Sequence, residues 1–139
     1  MMTSRRYRIL SHTADTGIAT RADTLGEVIA NAAFAMFDLS YDTSGADADR
    51  TIEFSVQAES PPDLLIEVLA ELLYLSETQD LAFFRFAVDA DGPRAAVRAN
   101  GVNTAHLDLR GPPIKAVTYH DLLCEPTEDH WEARVIFDV

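Results

Sequence analysis

The sequence predicts an α+β fold: a two-layer sandwich with two amphipathic helices packed on a mainly antiparallel sheet. Three observations predict it. Two segments carry apolar residues at helical spacing behind capping residues, several others alternate apolar with polar residues, and tight-turn signals join neighbouring strands. The 139 residues suit one domain spanning 1–139.

The elements follow in chain order. Tyr7 to Leu10 is a short β-forming run, broken by the polar Ser11-His12-Thr13-Ala14-Asp15. Gly17 to Arg21 suits a second strand. Thr24 to Asp38 reads as a helix: Thr24 and Glu27 form a capping box, and Leu25, Val28, Ile29, Ala32, Met36 and Phe37 recur on one face. Leu39 to Asp49, rich in Asp, Ser and Gly, reads as a loop. Ile52, Phe54, Val56 and Ala58 alternate with polar residues, as in a half-buried strand. Ser60 can cap a second helix, with Pro61 in its first turn and Asp63 near its positive end. Leu64, Leu65, Val68, Leu69, Leu72 and Leu73 form its apolar stripe. Leu81 to Ala90 and Arg94 to Asn100 pair through a turn at Asp91-Gly92, and Asn100-Gly101 signals another turn. Val102 to Arg110 is a weaker strand, ended by Gly111-Pro112-Pro113. Ile114 to Cys124 and Trp131 to Val139 make the last hairpin.

Eleven Lys and Arg face 23 Asp and Glu, a net charge of −12 and a pI near 4.5. Such a chain repels phosphate backbones at long range, which argues against a stand-alone nucleic-acid binder and favours a basic protein partner or a bound cation. A hydrophobic content of 47% excludes a disordered chain. One cysteine, Cys124, excludes an internal disulfide and a multi-cysteine zinc site; in its apolar strand it reads as a packed residue. No apolar stretch approaches the ~20 residues of a membrane span, and no signal core follows the basic N-terminus, so a soluble cytoplasmic protein is expected.

Three clusters hold candidate chemistry: His12-Thr13-Ala14-Asp15 between two strands, Lys115-Ala116-Val117-Thr118-Tyr119-His120 on a late strand, and Phe137-Asp138-Val139. Taken alone, Asp15 reads as a turn-former, and Lys115 and His120 as strand-rim residues. Lys115 is nonetheless the only lysine beside ten arginines, a compact point charge able to hold a phosphate or neutralise a carboxylate. Val135 and Phe137 could pack inward and pin the chain end. Asp15, Asp138 and the Val139 carboxylate would then make an anionic oxygen site suited to Ca²⁺ or Mg²⁺ rather than zinc. Spacing leaves open whether Asp15 meets Asp138. His106 and His130 read as surface residues. Glycine-rich phosphate loops, zinc spacings and nucleophile elbows are absent, and Asp42, Asp47 and Asp49 are out of register for an EF-hand.

In order and spacing, the first and last clusters, the Lys115 cluster, and Pro62-Asp63-Leu64-Leu65 with Glu71-Leu72-Leu73-Tyr74 resemble the archease family along essentially the whole chain. The resemblance implies a non-enzymatic accessory protein for the GTP-dependent RNA ligase of tRNA splicing and RNA repair, one that promotes ligase guanylylation and multiple turnover. It also implies a divalent-metal site held by Asp15 and Asp138, with the Val139 carboxylate as a further ligand and calcium ahead of magnesium. His12, Lys115 and His120 become candidate contacts to partner or nucleotide. Two other readings remain. One is a chaperone-like or specificity-modulating partner of another RNA enzyme, such as a tRNA methyltransferase. The other is a small metal-dependent hydrolase, against which stands the lack of a general base with an orienting partner.

Overall fold

Strand pairing divides the molecule into two larger antiparallel sheets and a two-stranded ribbon. The computed structural model describes residues 6–11 and 15–139. The order is β1 (Arg8–Ser11), β2 (Asp15–Ala22), α1 (Leu25–Asp38), β3 (Tyr41–Asp42), β4 (Arg50–Gln57), α2 (Pro61–Gln79), β5 (Leu81–Asp91), β6 (Arg94–Asn103), a 3₁₀ turn (Thr104–His106), β7 (Asp108–Leu109), β8 (Ala116–Pro126) and β9 (Trp131–Asp138). The four-stranded sheet runs β1-β2-β9-β8, the three-stranded sheet β4-β6-β5, and β3 pairs with β7. The α+β class with two helices on antiparallel sheet stands; the strands are shared among three sheets because alternation tells which face is buried but not which strand is the partner.

Both helices begin as their residues dictate. The Thr24 hydroxyl accepts the Glu27 N–H at 3.1 Å and lies 2.9 Å from the Glu27 carboxylate. The Ser60 hydroxyl accepts the Asp63 N–H at 3.3 Å, with proline opening the first turn of α2. α2 ends on Asp80 in the left-handed conformation, φ 54° and ψ 47°. α1 lies against β2 and β5, and α2 packs against β8. Their apolar stripes meet both larger sheets in one core: Ile29, Met36, Leu65 and Leu69 from the helices, Ile18, Val135 and Phe137 from one sheet, Phe83 and Val97 from the other. Phe37 binds this centre, its ring edge-on to Phe83 at 5.6 Å and stacked on Phe86 at 6.2 Å.

Between residues 39 and 110 the structure departs from the sequence reading in three places. The turn expected at Asn100-Gly101 does not form; β6 runs on, pairing Gly101 with Arg50 on one side and Phe83 on the other. A Cβ at Gly101 would stand 2.4 Å from the Ala82 carbonyl oxygen. Glycine serves close strand approach here, beside the β-bulge at Phe83/Arg85, and not a reversal. The weak strand expected over 102–110 is the end of β6, a 3₁₀ turn and the short β7. The loop expected over 39–49 contains β3, which pairs with β7.

Candidate functional site

The four-stranded sheet brings the two ends of the sequence together. β2 and β9 are its central strands, and their register sets Asp15 directly opposite Asp138. Alternation fixes the faces. Ile18, Val135 and Phe137 point into the core, so Asp15 and Asp138 share the opposite, outer face. Directly opposed residues carry Cβ atoms about 4.5–5.5 Å apart, and like charges so placed repel. Among the described residues, neither carboxylate receives a side-chain hydrogen bond or an ion pair. Two hard oxygen donors thus face each other, a donor chemistry of the kind that suits calcium or magnesium. No group of three or more His, Cys, Asp or Glu side chains suited to a metal occurs among the described residues.

The neighbouring candidates fall at different positions. The Lys115 N–H donates to the Asp138 carbonyl at 2.7 Å, tying the start of β8 to the end of β9, and its side chain is exposed. Ala116 faces Asp138 from the β8 side. Val139 follows Asp138 and packs partly against the core, which anchors the chain end. His120 does not sit on the Asp138 rung. The β8–β9 register shifts between Thr118 and Leu123, looping out the residues between them. Asp121 adopts φ 51°, and His120 is exposed with Nε2 3.4 Å from the Asp121 carboxylate. His12 lies outside the described residues.

One functional-looking cluster escaped the sequence reading. His130 is only 20% exposed, with Nδ1 2.6 Å from Asp129 and Nε2 3.2 Å from Glu132. The hydrogen bond with Asp129, then that with Glu132, raises its pKa above the ordinary histidine value, while the same contact holds Asp129 below the usual carboxylate range. Acids at −1 and +2 were the available signal. Cys124 is buried as expected, and desolvation pushes its thiol up to about 12.

Residues 7–139 match the model of the Archease protein family (MTH1598/TM1083). The chain belongs to the archease family. Curated relatives named protein archease include those of Methanosarcina acetivorans, 33% identical, and Methanosarcina barkeri, 34% identical, each alignment covering 97% of both chains. The solution structure of Methanobacterium thermoautotrophicum protein 1598 superposes with a TM-score of 0.76 at 26% identity, covering 98% of this chain and all of that one. An archease from Thermotoga maritima, described as a possible chaperone, shares the fold at a TM-score of 0.65 and 22% identity over 94% of each chain. No helix of the described residues of this archease-family chain is long and apolar enough to cross a membrane.

Proposed function

We propose that the chain is a non-enzymatic accessory protein that activates a GTP-dependent RNA ligase, promoting its guanylylation and multiple turnover. The observation that carries this reading is the register pairing of Asp15 with Asp138 at the end of the central strands. Family membership and the net charge of −12 support it, since an acidic helper is drawn to a basic RNA-handling enzyme.

Asp15 and Asp138 would hold a divalent cation, with the Val139 carboxylate as third donor and calcium preferred to magnesium. Bound there, a divalent ion supplies charge stabilisation to anionic oxygens. The chain's own part is positional. The β2–β9 ladder fixes the two carboxylates side by side, and the Lys115 N–H fixes the Asp138 backbone. The exposed Lys115 ammonium, with His12 and His120, is offered to the partner or its nucleotide.

The test is to add the protein to a matching ligase with GTP and follow ligase–GMP formation. The rate and number of turnovers should rise, and Asp15→Ala or Asp138→Ala should return both to the unassisted level while the far-ultraviolet circular dichroism is unchanged. An unchanged guanylylation rate at saturating protein refutes the reading. Appending one glycine after Val139 separates the roles of the chain end: calcium binding should weaken if the terminal carboxylate is a ligand. The Thermotoga maritima relative's description as a possible chaperone favours a second reading, a chaperone-like partner of another RNA enzyme such as a tRNA methyltransferase. Recovery of such an enzyme without ligase in a pull-down would select it.

A further inference from the structure

The outer face of the four-stranded sheet has a second, oppositely charged end. The register lines up Arg8 on β1, Ala19 on β2, Arg134 on β9 and Leu123 on β8 as one row across the sheet. The small Ala19 side chain leaves a floor between two arginines. Arg21 lies two residues further along β2 on the same face, and the Thr20 hydroxyl donates to the Arg6 carbonyl at 2.5 Å, holding the chain before β1 beside it. Together they line a cavity of about 410 Å³ that also reaches Asn31 and Leu123. Four of the ten arginines of a strongly acidic chain thus converge on one concavity.

Arg21 is partly balanced: Glu132 stands directly opposite it in the β2–β9 register, and, after the His130 hydrogen bond, the Arg21 charge helps hold the Asp129 carboxyl below the usual range. None of the four makes an ion pair among the described residues. Arg134 donates Nε to the Asp121 carbonyl at 3.1 Å, which orients its fork. Arg6 rests over the Phe34 ring at 4.2 Å, a contact that holds the cation without cancelling its charge. Arg8 and Arg21 have no side-chain hydrogen bond or ion pair among the described residues. The one carboxylate in the lining, Glu132, is engaged by His130 at 3.2 Å, and Glu125 opposes it from the β8 side, away from β1. The Arg8–Ala19–Arg134–Leu123 row holds two like charges and no carboxylate, an arrangement that an anion between them stabilises, and planar forks suit phosphate oxygens.

We propose that this concavity binds a pyrophosphate-type anion, free or carried on a nucleotide, between Arg8 and Arg134 over Ala19, with Arg6 and Arg21 at its margin. The volume lies in the range of small-molecule sites and suits a compact ligand. A nucleic-acid strand is disfavoured, because its extended charge meets the repulsion of the whole acidic molecule, whereas a compact anion sees chiefly the local arginines. The inference is independent of the acid pair and of ligase activation. Strand spacing puts Arg134 roughly 13 Å along β9 from Asp138.

The experiment is calorimetric titration of the full chain, in EDTA so that no divalent ion bridges phosphate to the acid pair. Inorganic pyrophosphate, a nucleoside diphosphate and a short single-stranded RNA are the probes. Pyrophosphate should give a saturable isotherm. The diphosphate binding more tightly than pyrophosphate marks a nucleotide as the source, and equal or weaker binding marks the free anion. Arg8→Gln and Arg134→Gln should each weaken pyrophosphate binding about tenfold, the loss of one charge-assisted contact, while Arg94→Gln on the other sheet leaves it within about twofold. No pyrophosphate binding at millimolar concentration, equal loss in Arg94→Gln, or binding by RNA alone would overturn the proposal.

Discussion

Asp15 and Asp138 are an unfavourable pair in the protein by itself: two like charges opposed across a ladder with no counter-charge among the described residues. That gives a test needing no ligase. Without metal, Asp15→Asn should leave thermal stability unchanged or raise it by up to about 1 kcal/mol, the size of a cross-strand pair effect. With calcium at a hundredfold excess over its dissociation constant, the wild-type chain should gain about 2.7 kcal/mol and the variant much less, read as a melting shift. A second residue-scale expectation concerns His130. Its raised pKa means its contribution to stability is fully present below pH 6.5 and is lost as pH rises through the higher folded value; the depressed Asp129 contribution is present above pH 3.8 and is lost as pH falls through its lower folded value. Titration of the His130 ring by NMR should therefore give a midpoint above 6.5, and Asp129→Asn should lower it. Cys124, buried and with its thiol at about 12, should react with a thiol reagent only as fast as the domain opens. Asp15 and Asp138 were legible as candidates from residue type and neighbours. Their meeting was not, because strand order across a sheet is set by the packed whole and leaves no mark on local spacing.

The helices were the most legible elements, since cap, first-turn proline and apolar stripe agree at each start. Ser60→Ala should cost about 1 kcal/mol through loss of the α2 cap, measured by urea unfolding. Strands were less legible. Asn-Gly at 100–101 carried a hairpin signal, yet β6 lies between β4 and β5 with two ladders to satisfy, and tertiary pairing overrode the local turn preference. Gly101→Ala tests that account. With a Cβ 2.4 Å from the Ala82 carbonyl oxygen, the strands must part, and a loss of about 2 kcal/mol or more is expected. The looped-out segment of β8 was hidden because its residues continue the β-forming composition on either side, whereas a register shift is a property of two strands.

Over the whole molecule, the charge of −12 conceals a separation. One end of the outer sheet face carries opposed acids and the other converging arginines. If the acidic surface guides a basic partner, raising salt should slow association much more than it speeds dissociation, a distinction stopped-flow mixing resolves. Composition foretold the sign of that field. It could not foretell the arginine end, since residues from β1, β2 and β9 become neighbours only when the sheet closes.

β9 is drawn from residues 131–138 yet sits inside the four-stranded sheet, hydrogen-bonded on both edges. During synthesis, β2 and β8 therefore emerge from the ribosome before the strand that must lie between them. A released chain cut short after residue 130 carries two exposed pairing edges and an unfilled slot, so chaperone capture or templated aggregation should be far greater for it than for the full chain.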